Sequence, residues 1–307
     1  MAMARNWQSA TAPKSFFARI ERCYVAVRRG WARLGRPRSD GDSGKLNRFR
    51  QSWATQRRVL GALAMRDIQT RWGRRNLGFA WLFLEPLVFA FPVLALWSVM
   101  RPSHEHGLRL IAFLWTGYLP LLLFRHVTGL AMYSVRANAA LMYHRVVQPL
   151  DLVVARCGLE VMGNTAAIFS SFLIFYALGL VDWPENVPLM LLGVFYMAWW
   201  SFAVALVVAG MSERSDMVEH IWPPFSYLYM PISGFFYLAA WLPPSAREFA
   251  LTVLPSLHSY EMIRGGLFGS RIHVFYDVSY VSYVLAVLTL LGLWLVHTVR
   301  QHLELVE

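Results

Sequence analysis

The sequence has little charge and few cysteines. Only 15% of its 307 residues are charged, whereas soluble domains average about 25%. Its two cysteines have neither a CxxC partner nor a neighbouring histidine cluster, which excludes a disulfide scaffold and a cysteine-based metal motif. The chain also has no GxxxxGK[ST], no GxGxxG after a strand, no HExxH and no GxSxG. It therefore has no nucleotide-binding or hydrolytic signature of its own.

Apolar residues and unevenly placed positive charge are abundant instead. Apolar residues make up 57% of the chain, well above the roughly 45–50% of soluble domains. Residues 1–76 have a net charge of +14, and the remaining residues have a net charge of −3. A basic segment on an apolar, nearly neutral body is typical of a polytopic membrane protein, so we expect no nucleic-acid partner.

Six stretches have the length and composition of membrane spans, which need about 20 apolar residues. They are residues 77–100, 110–135, 161–180, 188–211, 221–242 and 278–299. The connections on one side hold 23 Lys and Arg residues and those on the other side hold 5. The positive-inside rule therefore predicts an all-α membrane protein with six transmembrane helices and both termini in the cytoplasm.

The chain divides by composition into four parts. Residues 1–45 are rich in arginine; this resembles an organelle transit peptide, but we favour a disordered basic cytoplasmic extension. Residues 46–76 place apolar side chains among arginines at helical spacing, which predicts an amphipathic helix at the membrane interface. Residues 77–300 form a membrane domain that holds the six predicted spans, and residues 301–307 form a cytoplasmic tail.

Two ionisable residues lie within predicted spans, where charge is costly and often functional. Glu85 is ~12 Å into the first span and Arg125 is ~15 Å from the same face on the second, at 1.5 Å per residue. These depths predict an ion pair. The alternative is that Arg125 extends to the headgroups while Glu85 faces water.

Four hydroxyl groups recur at helical spacing in the fifth predicted span: Ser226, Tyr229, Ser233 and Tyr237. Hydroxyls facing lipid would lack partners, so this stripe is expected to face a wet passage or another helix. If the stripe faces a wet passage, its hydroxyls would form hydrogen bonds with sugar hydroxyls and its aromatic rings would lie against the faces of sugars. If it faces another helix, it would form interhelical hydrogen bonds.

Before the last span, His258, Glu261 and Arg264 are three residues apart on one side of a short predicted helix. An HxxE pair can bind a metal or carry protons. Two ligands are too few for a metal site, so a structural polar cluster on the outer side is preferred.

In the connection after the second span, residues 138–144 form a short apolar helix suited to the groove of a soluble partner.

Several motifs resemble those of capsule-polysaccharide ABC exporter permeases, the membrane subunits of type-2 ABC transporters. The first is Arg-Asp-Ile-Gln-Thr-Arg-Trp-Gly at 66–73, followed by Leu-Gly-Phe-Ala-Trp at 77–81 and Leu-Glu-Pro at 84–86. The others are the stretch 143–151 with Ala155 and Arg156, and Pro-x-x-His-x-x-Glu at 255–261. The resemblance covers about residues 55–305. Ser256 departs from it, since the family usually has asparagine beside the proline.

The resemblance implies a homodimer that works with two copies of a separate ABC ATPase, which binds ATP and Mg²⁺; this chain itself would hold no cofactor. The complex would move lipid-linked capsular polysaccharide outward across the bacterial inner membrane. It would work with a periplasmic adaptor and an outer-membrane export channel.

The resemblance also implies roles for individual residues. The passage would be lined by Glu85, Arg125, Ser226, Tyr229, Ser233 and Tyr237. The cytoplasmic gate would contain Arg66, Asp67 and Arg71. The segment coupling to the ATPase would contain Leu141, Met142, Tyr143, His144 and Arg145. The periplasmic gate would contain His258, Glu261 and Arg264.

Two alternatives stay open from the sequence. A permease for O-antigen or teichoic-acid polymers would share this architecture. An integral-membrane enzyme of glycolipid assembly would need acidic or histidine groups converging on one site, whereas here they are scattered along the chain.

Overall fold

The structure, a computed structural model, describes residues 42–72, 77–100, 104–105, 107–142 and 147–303. The chain divides into two compact units, Met1–Val59 and Leu60–Glu307. In the first unit, residues 42–59 are helical and expose the side chains of Trp53, Arg57 and Arg58. Most of the predicted basic extension and residues 304–307 of the predicted tail lie outside the described residues.

The described chain is α-helical apart from one two-stranded ribbon. The helices are α1 (Asp42–Trp72), α2 (Leu77–Met100), α3 (Leu110–Ala131), α4 (Ala139–Met142), α5 (Pro149–Ala177), α6 (Val187–Ser212), α7 (Asp216–Ile232), α8 (Pro244–Val253), α9 (Pro255–Phe268) and α10 (Val278–Leu303). Three 3₁₀ turns cover Arg136–Asn138, Ala239–Trp241 and Gly269–Arg271. Strands β1 (His104–Glu105) and β2 (Leu108–Arg109) pair antiparallel between α2 and α3.

Within the described residues, four helices are long and apolar enough to cross a membrane: α3, α5, α6 and α10 as far as Val299. This finding fits an all-α, multi-pass membrane protein. The first and fifth predicted spans correspond to α2 and α7, which are not among the four. Helix α2 has the predicted bounds and contains two prolines, whereas α7 has only 17 residues and contains three.

The fifth predicted span is wrong as a single helix over 221–242. Helix α7 ends at Ile232, and Gly234 then adopts a positive φ of 99°. Only glycine takes up this conformation without strain. A β-carbon at Gly234 would also lie 2.6 Å from Cδ1 of Leu257 on α9. The chain therefore turns against α9 instead of continuing as a helix.

Local signals explain where the long helices begin. Helix α5 starts with Pro149 behind a capping box, in which the Asp151 carboxylate accepts from the backbone N–H of Gln148 at 3.0 Å. Helix α6 starts behind Asn186, whose side chain accepts from the N–H of Leu189 at 3.1 Å. Both caps satisfy backbone donors that the first turn of a helix leaves free.

Helix α9 lies in the protein interior, and all 14 of its residues are buried. At 1.5 Å per residue it is ~21 Å long, too short to cross the hydrocarbon region. It packs closely on α6 because each of the two helices places a glycine against the backbone of the other. A β-carbon on Gly266 would lie 2.4 Å from the backbone nitrogen of Met190, and one on Gly193 would lie 2.7 Å from that of Ile263. Glycines thus let the two backbones approach, as is common between membrane helices.

Candidate functional site

The residues predicted for the cytoplasmic gate connect α1 to the loop after α3 and to α5. The Arg66 guanidinium donates to the side-chain oxygen of Asn138 at 2.9 Å. The Asp67 carboxylate receives Nη1 of Arg156 at 2.8 Å, and both side chains are about one-fifth exposed. Together with Leu63, Leu152 and Ala155 they line one small cleft. The side chain of Arg71 lies outside the described residues.

The sequence analysis did not identify Asn138 and Arg156 as the partners of Arg66 and Asp67. Asn138 is oriented by a second bond, in which its amide nitrogen donates to the carbonyl of Ser134 at 2.9 Å. Arg156 stood in one of the motifs that carried the family resemblance, but no role was assigned to it. Its spacing of 89 residues from Asp67 leaves no local sequence signal that could have identified the ion pair.

The segment predicted to couple to an ATPase is described only at its start. Leu141 and Met142 end α4 and are half-buried, and Met142 packs against the main apolar core. Tyr143, His144 and Arg145 lie outside the described residues. Their assignment therefore stays a prediction.

The turn immediately before α4 contains an ion-pair cluster that the sequence analysis did not predict. Arg136 contacts carboxylates at the end of α6 and in the first turn of α7. Its Nη2 lies 2.7 Å from Asp216, its Nη1 lies 2.9 Å from Glu219, and its Nε lies 3.7 Å from Glu213. The hydrogen bond to Asp216 and the neighbouring carboxylates raise the pKa of Arg136. Burial raises the pKa of Glu213, although the Arg136 guanidinium opposes that rise.

The predicted ion pair between Glu85 and Arg125 is wrong. Among the described residues no ion pair joins them; instead, the guanidinium carbon of Arg125 lies 3.7 Å from the ring centroid of Tyr227 on α7. An aromatic face attracts a guanidinium without the desolvation cost of burying a carboxylate. The Nε atom of Arg125 is buried and has no hydrogen-bond partner. Glu85 is half-buried on α2.

The four hydroxyl groups predicted as one stripe divide between α7 and the turn that follows it. Ser226 and Ser233 donate to carbonyls three residues earlier, those of Pro223 and Met230. Tyr237 lies beyond Gly234 and donates to the carbonyl of Ile232 at 2.7 Å. Only three of the four therefore follow the helical register.

The hydroxyl group of Tyr229 contacts another helix, α9. Its oxygen is 2.5 Å from Oγ of Ser256, which donates to the carbonyl of Ser233 at 3.1 Å. Ser256 is the position at which the chain departs from the family motif. The hydroxyl of Tyr229 thus matches the interhelical alternative, whereas those of Ser226, Ser233 and Tyr237 bond to carbonyls of their own segment.

His258 and Glu261 of α9 hold the surrounding backbone. His258 accepts the N–H of Asp277 at Nδ1 (3.0 Å), so its Nε2 bears the proton that is donated to the carbonyl of Leu251 (2.8 Å). The Glu261 carboxylate accepts the N–H groups of Ala239 (2.9 Å) and Phe275 (3.0 Å). Both groups are therefore occupied by main-chain partners on other segments.

Arg264 is fully buried on the same helix. Its guanidinium donates to the carbonyls of Gly234, Phe235 and Tyr237, and lies 4.1 Å from the ring centroid of Phe113. The preferred prediction of a structural polar cluster fits these contacts. Within the described residues, no group of three histidine, cysteine or carboxylate side chains is placed to hold a metal.

Residues 58–268 match the family of the ABC-2 type transporter, a membrane-domain family. The chain therefore belongs to this family, and it is a transport permease, as the resemblance predicted. This assignment excludes the enzyme alternative.

Its relatives include proteins of capsule polysaccharide export. The chain is 37% identical over 256 residues to the capsule polysaccharide export inner-membrane protein CtrC of Neisseria meningitidis serogroup B, covering 83% of this chain and 96% of CtrC. It is 36% identical over 261 residues to the capsule polysaccharide export inner-membrane protein BexB of Haemophilus influenzae, covering 85% and 98%. It is also 28% identical over 130 residues to the polysialic acid transport protein KpsM of Escherichia coli, covering 42% and 50%.

Proposed function

We propose that this chain is the inner-membrane permease subunit of an ABC exporter that moves lipid-linked capsular polysaccharide out of the cytoplasm. A separate ATPase subunit binds ATP and Mg²⁺ and supplies the energy. The observation that carries the proposal is the similarity to capsule export proteins over 96% and 98% of their lengths. The exposed arginines at 50, 57 and 58 of α1 support it, because a basic surface attracts a polyanionic polymer.

The decisive experiment is reconstitution of the chain with the ABC ATPase that co-purifies with it. The complex is expected to contain two copies of each subunit and to move labelled glycolipid into proteoliposomes only with hydrolysable ATP. Two copies are expected because six spans are too few to enclose a wide polymer path. ATP hydrolysis by the purified permease alone, or ATP-independent transport by it, would contradict the proposal.

For the topology we propose six spans with both termini in the cytoplasm, α2 and α7 being the first and fifth. Glu185 between α5 and α6 would then be outside, and Arg214 between α6 and α7 would be inside. Each is replaced by cysteine in a chain whose Cys23 and Cys157 are alanine. An impermeant maleimide is expected to label position 185 in intact spheroplasts and position 214 only after lysis. Labelling of both without lysis would contradict this topology.

The coupling role of residues 141–145 is a second part of the proposal. A short apolar helix at the cytoplasmic side suits a groove on the ATPase. Tyr143→Ala is expected to release the ATPase during purification. Tyr133→Ala is the matched control, since Tyr133 is a 45% exposed tyrosine of the same connection outside the segment. Equal retention of the ATPase by both variants would argue against this role.

The remaining assignments follow from position. Arg66, Asp67 and Arg71 are proposed to form the cytoplasmic gate, since Arg66 joins α1 to the loop after α3 and Asp67 joins it to α5. Glu85, Arg125, Ser226, Tyr229, Ser233 and Tyr237 are proposed to line or support the passage. His258, Glu261 and Arg264 are proposed to hold the periplasmic gate closed. Glu261 and Arg264 fix the segment 234–239, and His258 fixes the backbone at Leu251 and Asp277. A periplasmic adaptor and an outer-membrane channel would continue the route.

A further inference from the structure

The ion-pair cluster around Arg136 joins three elements at one point. Arg136 begins the 3₁₀ turn Arg136–Asn138. Its guanidinium donates to the carbonyl of Ser212 (2.8 Å), the last residue of α6, and contacts Asp216 and Glu219 in the first turn of α7. One side chain therefore ties the loop after α3 to the end of one helix and the beginning of the next.

The α6 end of this junction is fixed independently of Arg136. The hydroxyl of Ser212 donates to the carbonyl of Met132 at 2.9 Å, which joins α6 to the turn that follows α3. Glu213 is buried, with 6% of its side chain exposed. The beginning of α7 is held differently. Among the ion pairs and hydrogen bonds of the described residues, only those of Asp216 and Glu219 with Arg136 join it to the loop after α3.

Helix α7 packs against the core on one side only, where Trp222 and Tyr229 lie against Phe124 of α3. Ser226 is its one buried residue, and large apolar side chains on its other side are exposed, among them Tyr227 (59%) and Leu228 (68%). A helix with little buried surface moves at lower cost than one inside the core. A contact at its first turn can therefore shift it as a body.

The 3₁₀ turn that bears Arg136 is also bound at its other end. Asn138 accepts from Arg66 on α1, at 2.9 Å. Helix α4, the start of the segment assigned to ATPase contact, follows at Ala139 without a break. A displacement of that segment would thus reach α1 through Asn138 and α7 through Arg136.

We propose that Arg136 is the positioning residue that transmits movement of the ATPase-contacting segment to α7. It acts as a bridge: its planar guanidinium presents donors in fixed directions and contacts a carbonyl and two carboxylates at once, whereas the ammonium group of a lysine is a compact charge on a flexible stem. The movement would be carried along α7 to Tyr227, eight residues or ~12 Å beyond Glu219, and would change its contact with Arg125. This inference rests on the proposed export function.

The test uses the complex of permease and ATPase in proteoliposomes, with polymer export and ATP hydrolysis measured together. Arg136→Ala is expected to keep the ATPase bound and hydrolysing while export per ATP falls about tenfold, within the usual range of coupling between two sites. Arg136→Lys is expected to lie between Arg136→Ala and the unaltered chain. The matched control is Arg214→Ala: Arg214 lies between α6 and α7, next to Glu213 in the sequence, but contacts Thr298 and the carbonyl of Leu295 on α10. It is expected to keep normal coupling.

A second measurement does not depend on export. Hydrogen–deuterium exchange of residues 216–232 is expected to change on ATP addition in the unaltered chain and in Arg214→Ala, but not in Arg136→Ala. If Arg136→Ala fails to fold, Glu219→Gln removes one link from the α7 side and is expected to give the same defect in smaller measure.

The possible failures are distinguishable. If the unaltered complex moves no polymer, the proposed function fails. If it moves polymer and Arg136→Ala loses ATPase binding in proportion to export, Arg136 belongs to the docking surface and the inference is overturned. Unchanged coupling and exchange in Arg136→Ala overturn it as well.

Discussion

The guanidinium carbon of Arg125 on α3 lies 3.7 Å from the ring centroid of Tyr227 on α7. Tyr227 is 59% exposed, so this contact is at a surface of the chain and not in its core. Arg125 thus contacts an aromatic ring, whereas the sequence predicted that it would contact the carboxylate of Glu85. It has a partner in the ring of Tyr227, but no carboxylate of the described residues forms an ion pair with it.

Replacement of Tyr227 is expected to affect export more than stability. Tyr227→Leu removes the ring face, and cation–π contacts at exposed sites contribute about 0.5–1 kcal/mol. Unfolding in detergent should therefore shift little, whereas ATP-driven export should fall several-fold if the charge and ring meet the polymer. Tyr227→Phe keeps the ring face and is the control. Normal export by Tyr227→Leu would remove this surface from the passage.

Gly234→Ala is expected to destabilise the protein by about 1–3 kcal/mol, because the residue has a positive φ and its new methyl group would overlap Leu257. Gly129→Ala is the control, since a β-carbon there meets nothing within 4 Å on helix α3. That change is expected to be neutral or stabilising by up to about 1 kcal/mol. Thermal unfolding of the detergent-solubilised variants compares the two. Equal effects would contradict the tight turn at Gly234.

Arg264→Ala is expected to cost at least about 3 kcal/mol, because it leaves three buried carbonyls without their charged donor. The measurement is the yield of monodisperse protein and its unfolding temperature. Arg247→Ala is the control, since Arg247 is 4.2 Å from the ring of Phe275 and has no such carbonyl partners among the described residues. Its cost is expected to stay near 1 kcal/mol or below. A stable Arg264→Ala variant would show that the carbonyls find other donors.

A double-mutant cycle on Asp67 and Arg156 is expected to give a coupling energy of about 1–3 kcal/mol, since this pair is largely shielded from water. The same cycle on Arg109 and Asp182, which are 43% and 45% exposed, is expected to give at most about 1 kcal/mol. Unfolding free energies of the single and double alanine variants supply both values. If the exposed pair of Arg109 and Asp182 gave an equally large coupling energy, the interpretation of Asp67 and Arg156 as a partly buried ion pair between α1 and α5 would fail.

Glu213→Gln is expected to stabilise the protein at neutral pH and to have no effect in acid. Burial raises the pKa of Glu213 above its ordinary value of 4.5, so the folded state disfavours the ionised carboxylate. The stability linked to this group is present below pH 4.5 and is lost as the pH rises through the folded-state pKa. The unfolding temperatures of Glu213→Gln and of the unaltered chain are expected to agree at pH 4. They are expected to differ increasingly towards pH 8, where the variant unfolds at the higher temperature. Asp216→Asn, which removes an exposed partner of Arg136, should instead lower stability at neutral pH.

Hydropathy predicted the helices that depend only on length and apolar content. Helix α6 differs from its predicted span by one residue at each end, and α10 begins where predicted. The fifth span failed because an apolar run of 22 residues hides a turn that depends on contact with α9. Length and composition carry no information on such a contact.

Side-chain partners were harder to predict than helices. Depth along two spans predicted that Glu85 and Arg125 lie near one level but could not tell which way each helix faces, and Arg125 instead contacts the ring of Tyr227. Arg136 was counted only as a loop charge, because its three carboxylates are 77 to 83 positions further on in the sequence. In contrast, the triplet of His258, Glu261 and Arg264 was legible as a polar cluster because its spacing placed the three residues on one local helix.

The burial of α9 bears on how the protein is made. A segment of 14 residues with a histidine, a glutamate and an arginine offers too little apolar length to be inserted on its own as a span. Because α9 is buried against α6, which precedes it in the chain, we expect its docking to be a late step of biogenesis. Substitutions that destabilise α9 are therefore expected to cause degradation of the newly made chain before any effect on the assembled transporter can be observed.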